Sequence, residues 1–442
     1  MALSGLDIYK LLPKTNCREC GFATCLAFAM QLAKKTVSID KCPYLNEEAK
    51  RVLEASTQPP IKLVSIGVAE SELDIGNETV IFRHEEKFHH PCGIGFIIED
   101  NLDDAEIKTR VDKINQLKFE RVGQMLTVNL VAVRQNSNAK RFKEVVNLIL
   151  NNTSLSLVLM SADIDGLKGA LEISKDRKPL IYPITKDNLP AISQLAKQYE
   201  VPLAVLGQDL GDVSTLTDEL NKQGVSDIVL DIPEKSIQKR VWDLTQVRRL
   251  ALKRSMRSLG YPVSVIINDI DPFEEVVEAA TYIAKYAGIV LIKGIESWQV
   301  LSLLTLRQNI YTDPQKPLQI EPRLYSVGQV SDKSPVIVTT NFSLTYYTVL
   351  GEVEASKVPA YIVSVDTEGM SVLTAWAAEK FTPAKIVESI EKFSVKDKVT
   401  NQRLIIPGYV AVMSGELEEK SGWQVIVGPK EASGLPSFLK NL

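Results

Sequence analysis

From Gly93 to about Leu306 the chain repeats one pattern eight times: a short β-rich apolar run, then an amphipathic helical stretch. The runs are Gly95–Ile98, Leu126–Val133, Leu155–Met160, Leu180–Tyr182, Leu203–Leu206, Asp227–Asp231, Val263–Ile267 and Ile289–Ile292. The helical stretches fall near 103–116, 139–151, 163–172, 187–199, 213–223, 235–254, 272–286 and 296–307. Nearly continuous apolar runs mark strands buried on both faces, as parallel sheets require. Eight such units predict a closed (β/α)8 TIM barrel over 93–311. Two doubly wound sheets would satisfy the same alternation, but no long linker interrupts it. Within a linking segment, 58–92, the runs Lys62–Val68 and Val80–Phe82 read as a hairpin capping the barrel entrance.

Active sites of such barrels lie at the C-terminal ends of the strands. Those ends carry Glu99-Asp100, Gln135-Asn136, Asp163, Asp187, Gln208-Asp209, Asp231 and Asn268-Asp269. Asp and Asn at strand-to-helix junctions read first as helix N-caps. The barrel holds no histidine, and Lys293 is its one strand-end lysine. The expectation is a scaffold or docking surface with no catalytic residue.

All five cysteines precede residue 93, and four of them form C-x2-C-x4-C-x16-C: Cys17, Cys20, Cys25 and Cys42. Clustered thiols in a large chain bind metal more often than they form bridges. Gly21 follows the second thiol and lets backbone approach a cluster, and Pro43 follows the fourth, a pairing found in bacterial ferredoxin runs. Four-thiolate iron–sulfur is the leading reading. Zinc is the alternative, although it more naturally uses two paired knuckles. A short helix, Leu6–Leu12, and a longer one, Ala23–Lys35, complete a small domain over 1–57 that depends on its cluster for stability. The linker Ser56-Thr57-Gln58-Pro59-Pro60 ends it and reads as a mobile tether. His84, His89, His90 and Cys92 are spaced irregularly and read as structural or surface residues.

After the Pro-rich passage 312–317 a second α/β alternation occupies 318–442. Strands Val336–Thr339, Ala360–Val365, Arg403–Ile406 and Trp423–Val427 alternate with helices near 343–353, 370–380, 383–393 and 434–440. This is an open Rossmann- or flavodoxin-like sheet, whose ligands lie beyond the strand ends. Those ends contain Thr340, Asn341, Thr367, Gly369, Gly408, Ala432 and Ser433, which together make a broad, shallow floor. Neither G-x-G-x-x-G opening a helix nor G-x-x-x-x-G-K-[ST] occurs, so dinucleotides and nucleoside triphosphates are poorly supported. Backbone amides and hydroxyls at helix starts suit a large ligand with amides and a phosphate, as a corrinoid has.

The cluster segment KTNCRECGFATCLAFAMQLAKKTVSIDKCPYL, the barrel, and the stretches TTNFSLTYY and VDTEGMSVLTAWAA together resemble one family. It is the large (gamma) subunit of the corrinoid/iron–sulfur protein of the reductive acetyl-CoA (Wood–Ljungdahl) pathway, and the resemblance spans essentially the whole chain. It implies a 4Fe-4S cluster on Cys17, Cys20, Cys25 and Cys42. It also implies corrinoid contacts at Thr340, Tyr346, Met370, Ser371, Val372, Leu373, Thr374 and Ser433. The implied function is methyl carriage. Cob(I)amide takes the methyl of N5-methyltetrahydrofolate from a methyltransferase and passes it, as methyl-Co(III), to acetyl-CoA synthase/CO dehydrogenase. The cluster, fed by a low-potential donor, reactivates Co(II). A small barrel subunit completes a heterodimer.

No histidine follows His90, so the C-terminal domain offers cobalt no imidazole, and a base-off corrinoid is expected. Because one cofactor must meet several partners, Pro59-Pro60 and 312–317 are the expected hinges. Lys plus Arg number 51 against 55 Asp plus Glu, a balance that argues against nucleic acid as a partner. No apolar run approaches a membrane span and no secretory signal is visible, so a cytoplasmic protein is expected. Two alternatives stay open: an iron–sulfur electron-transfer or scaffold subunit without corrinoid, and a barrel that binds methyl-pterin directly through its strand-end Asp and Asn residues.

Overall fold

The computed structural model describes residues 5–33, 37, 39–46, 49–50, 53, 59–233, 236–268 and 271–442. Lys34, Lys35, Ser56–Gln58 and Asp269 of the sequence reading lie outside the described residues. The chain divides into two compact units, Met1–Lys118 with Thr127–Tyr311, and Phe119–Leu126 with Thr312–Leu442.

The first unit opens with helices α1 (Gly5–Leu11) and α2 (Cys25–Ala33). Their small core joins Ile8, Leu12, Phe28, Ala29, Leu32, Ile39 and Leu53, with Cys25 buried among them. Strands β1 (Val64–Ile66) and β2 (Leu73–Ile75) form an antiparallel hairpin. The partner of the first expected run is therefore 73–75, and 80–82 is no strand. Ile66, Leu73 and Ile75 enter the barrel's interior core, and Ser156 at the start of a barrel strand donates its hydroxyl to the Ile66 carbonyl at 3.3 Å. The hairpin thus plugs the N-terminal end of the barrel, opposite the strand ends where sites form.

The barrel strands are β3 (Gly93–Glu99), β6 (Leu130–Arg134), β7 (Ser156–Met160), β8 (Leu180–Ile184), β9 (Leu203–Leu206), β10 (Ile228–Asp231), β11 (Val263–Ile266) and β12 (Ala287–Ile292). They close in the order β10-β11-β12-β3-β6-β7-β8-β9, all parallel. Helices α3 (Asp104–Asn115), α4 (Ala139–Asn152), α5 (Ile164–Ser174), α6 (Leu189–Tyr199), α7 (Leu210–Lys222), α8 (Ile237–Arg254), α9 (Pro272–Ala284) and α10 (Ser297–Tyr311) alternate with them. Ile97, Leu130, Ala132, Val158, Leu180, Ala204, Val229 and Leu291 fill the interior. Each fully buried Ile, Leu or Val side chain contributes about 1.5–3 kcal/mol. Gly95 is required here, since a Cβ would stand 2.7 Å from Leu130 and Leu291 side chains.

One expected strand is really two. Leu126–Val133 breaks at Val128-Asn129: β5 (Gln124–Thr127) pairs with β4 (Lys118–Arg121) as a two-stranded hairpin, and the barrel strand begins at Leu130. This hairpin belongs to the second unit, where Val122 packs against the core containing Ile320 and Tyr325, and Arg323 pairs with Glu120 at 3.3 Å.

The second unit holds β13 (Leu324–Val327), β14 (Val336–Thr340), β15 (Ala360–Val365), β16 (Arg403–Ile406) and β17 (Gln424–Val427). Their order is β13-β15-β14-β16-β17, with β13 antiparallel at one edge. One face packs on α11 (Ser343–Ser356) and α15 (Leu435–Lys440). The other packs on α12 (Val372–Ala377), α13 (Pro383–Lys392) and α14 (Ser414–Ser421). The edge strand β13 and helix α14 are additions to the sequence reading.

Candidate functional site

In the first unit the four thiols gather around the start of α2. Cys25 is buried at its first residue, Cys17 and Cys20 lie in the preceding loop, and Cys42 follows the turn Ile39–Lys41. Burial raises the Cys42 thiol, and nearby Cys20, Cys25 and Cys17 raise it further. A cationic iron–sulfur core would offset that cost at Cys42 and take all four sulfurs as thiolates. Among the described residues no three His, Cys, Asp or Glu side chains are grouped as for a single metal ion. A four-iron cluster spreads its thiolates more widely than one ion does. His89 and His90 serve structure: Glu78 accepts both backbone N–H groups at 2.9 and 3.1 Å, and His90 Nδ1 meets the Gly76 carbonyl at 2.7 Å. Cys92 is fully buried, and burial pushes its thiol up to about 12.

The linker prolines are anchored, contrary to a free tether. Arg257 donates to the Pro59 carbonyl at 3.0 Å, and Pro60 lies so close to Gly260 that a Cβ there would meet its carbonyl at 2.5 Å.

At the barrel's strand ends, some expected caps are caps. Asp163 accepts from Asp165 N and Asp209 from Asp212 N. Others are not. Alternation from Ile97, Ala132, Leu180 and Val229 turns Glu99, Arg134, Tyr182 and Asp231 toward the barrel axis. Glu99 pairs with Lys293 at 2.7 Å and Arg134 at 3.8 Å, while Arg134 donates to Asn268 at 2.7 Å. Asp231 is 2% exposed, and burial raises its carboxyl to about 6 even though Arg240 and the Tyr182 hydroxyl favour its charge. Asp100 is buried and accepts the Asn136 and Ser137 N–H groups at 2.7 and 2.9 Å, bracing the next loop.

In the second unit, strand order places β15 and β16 on opposite sides of β14, which makes the β14–β16 gap the topological switch point. Ligands of open α/β sheets bind in that crevice. A groove of about 540 Å³, open to solvent, lies there, lined by Thr339, Val372, Pro407, Tyr409, Lys430 and Ala432 among others. Around the strand ends stand exposed apolar side chains: Leu344, Leu373, Trp376, Tyr409 and Val412, the last 75% exposed. At the ends of β14 and β15 the hydroxyls of Thr339, Thr340 and Ser364 are buried without a hydrogen-bond partner, those of Thr339 and Thr340 on opposite faces of the sheet. Unsatisfied buried hydroxyls are rare enough to call for an explanation, and of the three only Thr339 borders the groove, where a ligand with amides would provide one. A corrinoid, broad and amide-fringed, fits this face.

The expected contact residues separate into three sets. Val372 and Ala432 line the groove, with Met370 and Ser371 half-buried and Leu373, Thr374 and Ser433 exposed nearby. Asn341, Thr367, Gly369 and Gly408 are buried below. Asn341 Oδ1 accepts from Thr367 N, Thr367 Oγ1 and Gly369 N at 2.9–3.0 Å, so it organises the loop that presents 370–374. Gly369 has φ +75°, and a Cβ would stand 2.6 Å from Gln319. Tyr346, buried and packed at a tilt against Tyr325 with ring centroids 4.7 Å apart, does not line the groove; burial raises its hydroxyl. Thr339, Pro407, Tyr409 and Lys430 are groove residues that the strand-end rule pointed at without singling out.

The family described as "CO dehydrogenase/acetyl-CoA synthase delta subunit" matches residues 63–439, and one described as "Putative Fe-S cluster" matches 12–44. The chain is 46% identical to the corrinoid/iron-sulfur protein large subunit of Moorella thermoacetica, covering 100% of this chain and 99% of that protein. It is 36% identical to the acetyl-CoA decarbonylase/synthase complex subunit gamma of Methanothermobacter thermautotrophicus, over 100% and 99%. Among solved structures, Yersinia pestis dihydropteroate synthase aligns over 50% of this chain and 93% of its own at 11% identity and a TM-score of 0.37. Among the described residues no helix is long and apolar enough to cross a membrane.

Proposed function

The chain belongs to the CO dehydrogenase/acetyl-CoA synthase delta subunit family, and from that premise we propose that it is a methyl carrier holding a corrinoid and a 4Fe-4S cluster. When bound, the corrinoid supplies a cobalt that takes a methyl group from a methyl-pterin and yields it to acetyl-CoA synthase, and the cluster supplies electrons that keep it active. Cys17, Cys20, Cys25 and Cys42 hold the cluster. The groove residues Thr339, Val372, Tyr409 and Ala432, with the loop braced by Asn341, seat the corrinoid over the β14–β16 crevice. No residue after His90 can offer an imidazole, so the seat keeps the cobalt free of one on this side and needs no acid or base.

The observation that carries the reading is the groove at the β14–β16 switch point, bordered by the partnerless Thr339 hydroxyl and rimmed by exposed apolar side chains. The exposed rim supports a further subunit covering that floor, a small barrel subunit forming a heterodimer. A pterin methyltransferase, acetyl-CoA synthase/CO dehydrogenase and a low-potential donor would dock in turn. Purification without oxygen, with metal analysis and a visible spectrum, tests this: cobalt and iron are expected together. Iron without cobalt would leave the electron-transfer scaffold instead.

A second reading rests on the barrel mouth. The inward-facing Glu99, Arg134, Tyr182, Asp231 and Lys293 give a polar layer that direct methyl-pterin binding would use. Titration of the whole protein with methyltetrahydrofolate, comparing wild type with Asp231→Asn, separates the two readings.

A further inference from the structure

Asn16 sits one residue before the first cysteine and adopts the left-handed backbone region, φ 50°, which Asn tolerates better than most residues. That conformation turns both of its polar ends toward Cys25. The Asn16 backbone N–H donates to Cys25 Sγ at 3.4 Å, and the Asn16 Oδ1 accepts the Cys25 N–H at 2.8 Å. The reciprocal pair closes the loop that carries Cys17 and Cys20. It also takes up a first-turn amide of α2, while Thr24 Oγ1 accepts the Ala27 N–H at 3.1 Å.

We propose that Asn16 is a positioning residue that raises the reduction potential of the cluster; this rests on the cluster reading above. Reduction adds negative charge that is shared by the ligating sulfurs, and an N–H aimed at one of them stabilises the reduced form more than the oxidised form. The backbone supplies that donor, and the side chain holds it on target. Removing the side chain alone therefore loosens the N–H···S contact without deleting a ligand.

The test uses the full chain purified without oxygen as wild type, Asn16→Ala and Asn16→Asp, measuring iron, acid-labile sulfide and the cluster midpoint by redox titration. With iron retained, Asn16→Ala should titrate lower, its reduced-to-oxidised ratio at fixed potential falling between about three- and tenfold, where tenfold is about 59 mV for one electron. Asn16→Asp keeps the acceptor oxygen but adds a negative charge beside the cluster, so it serves as the control for iron retention and not for the midpoint. An unchanged midpoint in iron-replete Asn16→Ala overturns the proposal. If Asn16→Ala loses iron, Asn16→Asp is expected to restore it, and failure to do so also overturns it. A wild type without iron overturns the cluster reading and this one together.

Discussion

At the C-terminal ends of the barrel strands, Glu99, Arg134, Lys293 and Asn268 bind one another, and the Tyr182 hydroxyl favours the charged form of Asp231. At the same ends of β14 and β15, Thr339, Thr340 and Ser364 bury hydroxyls that bind nothing. Both regions are parallel sheets made of the same kind of apolar run. The difference lies in what their polar ends are for. A barrel closes on itself, so its inward residues meet across the axis and can satisfy each other. An open sheet ends in a crevice at its switch point, where on the function proposed above Thr339 borders a guest.

The comparison breaks most readily at Asn341. Asn341→Ala leaves the Thr367 and Gly369 N–H groups buried without an acceptor, a loss of about 4 kcal/mol. Chemical denaturation should show that loss together with abolished corrinoid retention; wild-type stability would mean the loop is not held from below. In the barrel, Asp231 is the sharper probe. Its carboxyl, ordinarily 3.8, is raised to about 6. A raised folded-state value means stability is fully present below about pH 4 and is lost as pH rises through 6, by up to about 3 kcal/mol. Asp231→Asn should flatten that slope and gain stability at pH 7 in a pH series of denaturation curves. The smallest effect separates the two sheets best. Thr339→Val removes an orphaned hydroxyl, so the cofactor-free protein should gain about 1 kcal/mol while corrinoid binding weakens about fivefold. A variant that loses stability would show that the hydroxyl is satisfied and the comparison mistaken.

How far the fold was legible follows from the same physics. Strands buried on both faces appear as contiguous apolar runs, so β7 (Ser156–Met160) and β15 (Ala360–Val365), buried throughout, fall where the runs do. The run Leu126–Val133 concealed a break because Asn129 has work that no local pattern announces: its Oδ1 accepts from Ile94 N and Arg307. The edge strand β13 has four residues with alternating burial, too short to stand out. The cysteine segment was legible as a cluster-type region, and the Fe-S family match over 12–44 falls on it. Asn341 was visible only as a strand-end polar residue; its role depends on two loops that meet only in the folded sheet. Tyr346 looked like a ligand contact by resemblance, yet its ring is spent on packing against Tyr325.

Phe119–Leu126 leaves the first unit to join the second, so the chain passes between them at 118/119, 126/127 and 311/312. Gly123 lies so near Ile320 and Tyr325 that a Cβ would stand 3.0 Å from each. Severing 312–317 would therefore not give two self-sufficient pieces. The larger would keep an orphaned apolar loop, and the smaller would lack a wedge of its own interior. The C-terminal module cannot be traded between proteins like a bead on a string, because part of it is spelled in the first third of the sequence.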